Sequence, residues 1–216
     1  MIALSLLLLA TSIVSTRAET LSIQPVMQET PEWCWLAVGQ MIFEHFNIPA
    51  VNPDYQCGIV AFWGARPGPY GWQGPCMTNC RACPLPAGSF NTIQAMLNQY
   101  PRLAGDQPLR FSSSYSPIGT GTIKEEIDAD RPILIGITPS GARLPVSQHV
   151  ALIIGYEEDE DEFYVIVNDP FPYRFYHIDP FASLGGEMLE PGQYKINYQT
   201  LRGPLRWRET MYGFHQ

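Results

Sequence analysis

The hydrophobic pattern of this 216-residue chain changes period once, and that change limits the folds open to it. Up to about residue 130, outside the irregular segment 52–90, apolar residues recur at steps of three and four, the signature of helices with one buried stripe. The first such stretch, TPEWCWLAVGQMIFEHF (30–46), predicts a helix over 31–46. Thr30 is placed to cap it, Pro31 suits the first turn because its missing N–H would be unpaired anyway, and Glu32 favours the positive end. Ala37, Val38, Met41, Ile42 and Phe46 form the stripe, with Cys34 on the same side one turn earlier. FNTIQAMLNQY (90–100) and TIKEEIDAD (122–130) read as further helices. From Arg131 the runs become strand-like: RPILIGIT (131–138), HVALIIGYE (149–157), EFYVIVNDP (162–170), RFYHID (174–179) and QYKINYQTL (193–201). Helices followed by antiparallel strands specify an α+β fold, with an N-terminal helical lobe carrying Cys34 and a C-terminal antiparallel β half.

A chain that is 45% hydrophobic and 12% aromatic can bury a core without help from cross-links, so one compact unit is expected over residues 19–216. Residues 2–14, IALSLLLLATSIV, are apolar but too few to cross a bilayer comfortably, and Thr16-Arg17-Ala18 offers a small-x-small site before Glu19. Residues 1–18 are therefore expected to be a cleaved signal peptide, and the mature chain to be secreted or periplasmic. No second apolar run of spanning length follows, so no membrane association is expected after cleavage. The net charge of −8, or −9 once Arg17 is removed, makes nucleic acid a poor partner. EEDEDE (157–162) supplies much of that charge and reads as a solvated hairpin loop; it lacks the alternating ligands and glycine of a calcium loop.

Five cysteines divide four and one. Cys57, Cys76, Cys80 and Cys83 fall in the Gly-, Pro- and Trp-rich segment 52–90, which shows little periodicity and needs staples, while Cys34 stands apart in a regular helix. Export favours two disulfides among the four, with the pairing open; their C-x18-C-x3-C-x2-C spacing also admits zinc. The leftover Cys34 is either an intermolecular link or a reactive thiol, and a thiol at a helix start is favoured as thiolate.

A cysteine nucleophile needs an imidazole, a group to orient it, and donors for the oxyanion. His45 lies on the Cys34 helix, about 16 Å along its axis at 1.5 Å per residue, and cannot reach the thiol. His215 is one residue from the C-terminus and is expected to be mobile, and His177 sits in a strand-like stretch with a sheet or surface role. His149 remains, at the mouth of an unusually apolar strand. Antiparallel pairing across the acidic loop returns Asn168 and Asp169 to the start of that strand, where alternation lets only one of them face the imidazole. Gln28, six residues before Cys34, is placed to donate to an oxyanion together with the Cys34 N–H.

With Gln28, W-C-W (Trp33 to Trp35), HVALIIGY (149–156) and VNDP (167–170) in this order, the sequence resembles the papain-like cysteine peptidases, and among them a compact bacterial branch of staphopain-like and effector-type proteases. The resemblance covers about 24–46 and 131–170. It implies Cys34 as nucleophile, His149 as base and acid, Asp169 as the orienting residue with Asn168 as the alternative, and Gln28 in the oxyanion hole. It implies a polypeptide substrate, a monomer, and no cofactor or metal. Amidases, deamidases and acyltransferases share such a triad, and an exported binding module without catalysis is a further alternative. Trp33, Trp35, Trp63 and Trp72 fit a substrate groove or the core equally well.

Overall fold

A computed structural model describes residues 17–64, 79–83, 85–142, 147–159, 161–175 and 178–216. The expected signal peptide lies outside them up to residue 16, as do Cys76, Trp72 and His177. The elements run β1 (Arg17–Thr20), α1 (Cys34–His45), α2 (Tyr55–Gly64), α3 (Phe90–Leu103), β2 (Arg110–Ser114), α4 (Thr120–Asp128), β3 (Ile133–Ile137), β4 (His149–Glu158), β5 (Phe163–Asn168), α5 (Pro180–Ser183), β6 (Glu187–Glu190), β7 (Gln193–Asn197), α6 (Tyr198–Arg202) and β8 (Glu209–His215). The α+β class follows directly: helices early, and one antiparallel sheet of order β2-β8-β3-β4-β5-β7-β6.

One correction concerns the ends of the chain. β1 belongs to the sheet of the C-terminal half, pairing with β4 from Gly155 to Glu158, just past the stretch of β4 that β3 occupies. The close crossing explains Gly155, where a Cβ would stand 2.7 Å from the Glu19 carbonyl oxygen. Cleavage before Glu19 would fall inside β1 and leave Glu19 and Thr20 on their partners Tyr156 and Gly155. At the other end β8, which has no strand signal of its own, lies between β2 and β3. His215 is thereby the last residue of a paired strand rather than a loose terminus.

Other boundaries differ for local reasons. QYKINYQTL is not one strand: Asn197 accepts a bond from the Gln199 N–H, capping α6 and ending β7. Around RFYHID the chain makes a 3-10 turn at Tyr173–Phe175. Within the cysteine-rich segment α2 is regular, and the Asp54 carboxylate accepts from the Cys57 N–H as a cap. The acidic stretch does close a hairpin, with β4 ending at Glu158 and β5 beginning at Phe163.

One hydrophobic core joins α1, α3 and the sheet. β3 and the first eight residues of β4 are buried on both faces, which is why their sequences read as continuous rather than alternating apolar runs. α1 lies against β4, α2 and α3, so it is buried nearly all round instead of along the expected single stripe. Trp33 and Trp35 are part of this core and do not face a groove. Among the described residues no helix is long and apolar enough to cross a membrane.

Cys57 and Cys80 form a disulfide with a sequence separation of 23, tying α2 to the 3-10 turn Cys80–Ala82, and Cys83 is also disulfide-bonded. Joined in this way, Cys57 and Cys80 are not zinc ligands. Closing a loop of this length restricts the unfolded chain by about 3 kcal/mol. The variant with both Cys57→Ala and Cys80→Ala is therefore expected to lose about that much stability in urea unfolding. A loss below ~1 kcal/mol would mean that the bridge constrains an already compact unfolded chain.

Candidate active site

Cys34 is the first residue of α1, and the helix starts three residues later than its sequence predicts. Thr30, Pro31 and Glu32 stay outside it, because the Trp33 N–H closes a turn onto the Thr30 carbonyl and Trp33 is the N-cap, without a side-chain cap bond. The later start places the thiol directly at the positive end of the helix, where the first N–H groups have no intrahelical acceptors. Cys34 is the free cysteine among the described residues, buried yet bordering a cavity of about 850 Å³.

Two ties bring that helix end to the β half. The Asn168 amide donates to the Ile23 carbonyl at 2.8 Å, and the Gln28 N–H donates to the Pro170 carbonyl at 2.9 Å. From the other side the buried Gln56 of α2 donates to the Met27 carbonyl at 3.0 Å and accepts from the Glu29 N–H at 3.2 Å. The chain just before α1 is thus clamped between α2 and the end of β5, and Arg81 adds ion pairs to Glu29 and Asp54.

His149 opens β4 at the cavity wall, opposite Ile137 of β3. Its Nε2 lies 2.9 Å from both Oδ1 and Oδ2 of Asp169. Asp169 is fully buried, and its Oδ1 also accepts from the Phe171 N–H at 2.8 Å, which fixes the carboxylate. Burial alone would push the His149 imidazole down; the Asp169 carboxylate first, then the nearby Cys34 sulfur, overcome that and raise it to about 10. With Nε2 on the carboxylate, Nδ1 is the nitrogen left for the sulfur. Phe171 stands edge-on to the imidazole with ring centroids 6.3 Å apart, and Tyr173 completes that wall with a phenol held protonated by burial and the nearby Asp169.

The remaining sequence candidates separate. Asn168 turns away from His149: it donates to Ile23 and accepts from Gln193 Nε2 at 3.0 Å, and so ties β5 to β7 and the N-terminal segment. Gln28 does not offer free donors to an oxyanion in this structure, because its Nε2 donates to the Thr30 carbonyl at 2.8 Å and the Pro31 carbonyl at 2.7 Å. It braces the turn that positions Cys34, and its Oε1 is buried without a partner among the described residues. His45 bonds the Asp130 carbonyl at 2.9 Å, far along α1 from the thiol. Sequence reasoning missed the rest of the cavity wall, including Gly88, Phe90, Tyr115, Ser147 and Glu209. Gly88 carries a readable signal only afterwards: a Cβ there would stand 2.6 Å from the Trp35 ring, so the wall is pressed against the W-C-W core.

A family model described as "Peptidase_C39 like family" matches residues 20–183, a range that holds Gln28, Cys34, His149 and Asp169 and ends before β6, β7 and β8. No curated protein matches this chain.

Proposed function

We propose that this chain, which belongs to the Peptidase_C39 like family, hydrolyses peptide bonds through a Cys34–His149–Asp169 thiolate mechanism on a papain-like layout. The observation that carries the reading is His149 bonded to a buried carboxylate and lining the same open cleft as the helix-start sulfur of Cys34. Asp169 keeps Nε2 protonated and aims Nδ1, so a proton shared between Nδ1 and the sulfur rests on the imidazole and the sulfur is available as thiolate. The thiolate attacks the carbonyl carbon of a bound peptide, and the electron pair displaced onto oxygen is met by the Cys34 N–H at the helix start. The imidazolium then gives its proton to the departing amine. Water, activated by the now neutral His149, breaks the thioester and releases the second product.

The narrower likeness to staphopain-like and effector-type peptidases rests on the W-C-W motif. Export by a cleaved N-terminal signal, action on polypeptides as a monomer, and work without a cofactor belong to the same proposal. The reading is tested by alkylation of the native protein with iodoacetamide at pH 7. Cys34 is expected to be labelled, and at least about 10-fold more slowly in His149→Ala, since only the thiolate reacts. Equal rates in both proteins would leave a thiol that His149 does not activate, as in a binding module.

A further inference from the structure

We infer, on the peptidase reading above, that Glu209 makes the cleft selective for peptides carrying a lysine or arginine close to the scissile bond. Glu209 opens β8, opposite Gly136 of β3, and lines the same cavity as Cys34 and His149. A Cβ built on Gly136 would lie 2.7 Å from Glu209 Oε2 and 2.7 Å from Ser147 Oγ, so the missing side chain leaves room in which these two oxygens converge. Ser147 Oγ is buried and has no hydrogen-bond partner among the described residues. The Glu209 carboxylate is half-buried and likewise makes no ion pair or side-chain hydrogen bond among them. Elsewhere carboxylates drawn from solvent are answered: Glu126 by Arg131 and Asp169 by His149.

A partly desolvated carboxylate beside an unpartnered hydroxyl calls for a donor with several N–H groups, and ammonium and guanidinium are the peptide groups of that kind. Among the described residues lining the cavity, the one cationic side chain is His149, already bonded to Asp169; besides Glu209, the other charged residue is the acid Glu32. Phe90 and Tyr115, with ring centroids 4.9 Å apart, supply an apolar wall for the methylene stem of such a side chain. Glu209 lies outside the residues 20–183 matched by the family model, while Gly136, Ser147, Phe90 and Tyr115 lie within them.

The test uses the whole chain and a quenched fluorescent peptide library carrying lysine, norleucine or glutamate at each of three positions on either side of the cleaved bond. At one position lysine is expected to exceed norleucine in kcat/KM by about 10-fold or more, the usual effect of a charged hydrogen bond, and the ratio falls as salt rises. Glu209→Gln removes the preference, and Glu209→Lys shifts it toward glutamate. In parallel, binding of the same peptides to Cys34→Ala and to Cys34→Ala/Glu209→Gln is followed by fluorescence anisotropy. Cleavage with no lysine preference, or a preference that survives Glu209→Gln, overturns the subsite and leaves the peptidase reading standing. Tighter binding of lysine peptides that depends on Glu209, without any cleavage, overturns the peptidase reading and keeps the subsite. Neither cleavage nor selective binding overturns both.

Discussion

Cys34→Ser is expected to lower peptide hydrolysis on the order of 10⁴-fold or more, the scale at which removing a nucleophile acts in enzymes of this design. The substitution exchanges one atom in a buried site, and the packing of α1 against β4 does not depend on the sulfur. What changes is the chemistry: an alcohol is far harder to deprotonate than a thiol, and an imidazole poised to hold a thiolate does not hold an alkoxide. Casein or library hydrolysis by the two proteins, with circular dichroism as the control for folding, decides it. Hydrolysis that survives the change would remove Cys34 from the mechanism.

Asp169→Asn is expected to cost about 10⁴-fold in kcat, because an amide in that place presents an N–H to Nε2 or lets the ring turn, and the productive tautomer is lost. A second signature separates this from simple destabilisation. The Asp169 carboxylate is the main influence raising His149, so the alkaline limb of kcat/KM, set by loss of the imidazolium proton at about 10, should move to lower pH in the variant. Stability follows the same proton. The folded value lies above the ordinary 6.5, so the His149 contribution to stability is complete below about 6.5 and is lost as pH rises through about 10. Asn168→Ala makes the contrast: it removes the bonds to Ile23 and Gln193 and leaves a buried carbonyl unpaired, costing about 1–3 kcal/mol of stability, while the alkaline limb stays in place.

The route from sequence to site ran through geometry that local pattern encodes. The acidic loop, flanked by two apolar runs, announced a hairpin, and a hairpin of that length necessarily returns Asp169 to the neighbourhood of His149. The odd cysteine in a regular helix was equally plain. The helix boundary was not, because Thr30 and Pro31 carry strong start signals while their backbone is used in a separate turn braced by Gln28, a tertiary choice with no local mark. β8 was hidden for a different reason. Thr210 and Met211 are both buried and Gly213 takes a positive φ of 70°, so the alternation that reveals strands is broken. With β8 unseen, Glu209 had no place near the cleft. α2 was masked by its glycine and cysteine content, although Asp54 three residues before Cys57 is a cap.

The account turns on one proton, held by His149 between Asp169 and the Cys34 sulfur. A ¹⁵N NMR titration of the His149 ring in the native chain reads it directly. The imidazole is predicted to stay doubly protonated through neutral pH and to lose its proton only at about 10. A neutral ring at pH 8, titrating near the ordinary 6.5, would contradict the pair on which the proposed mechanism stands.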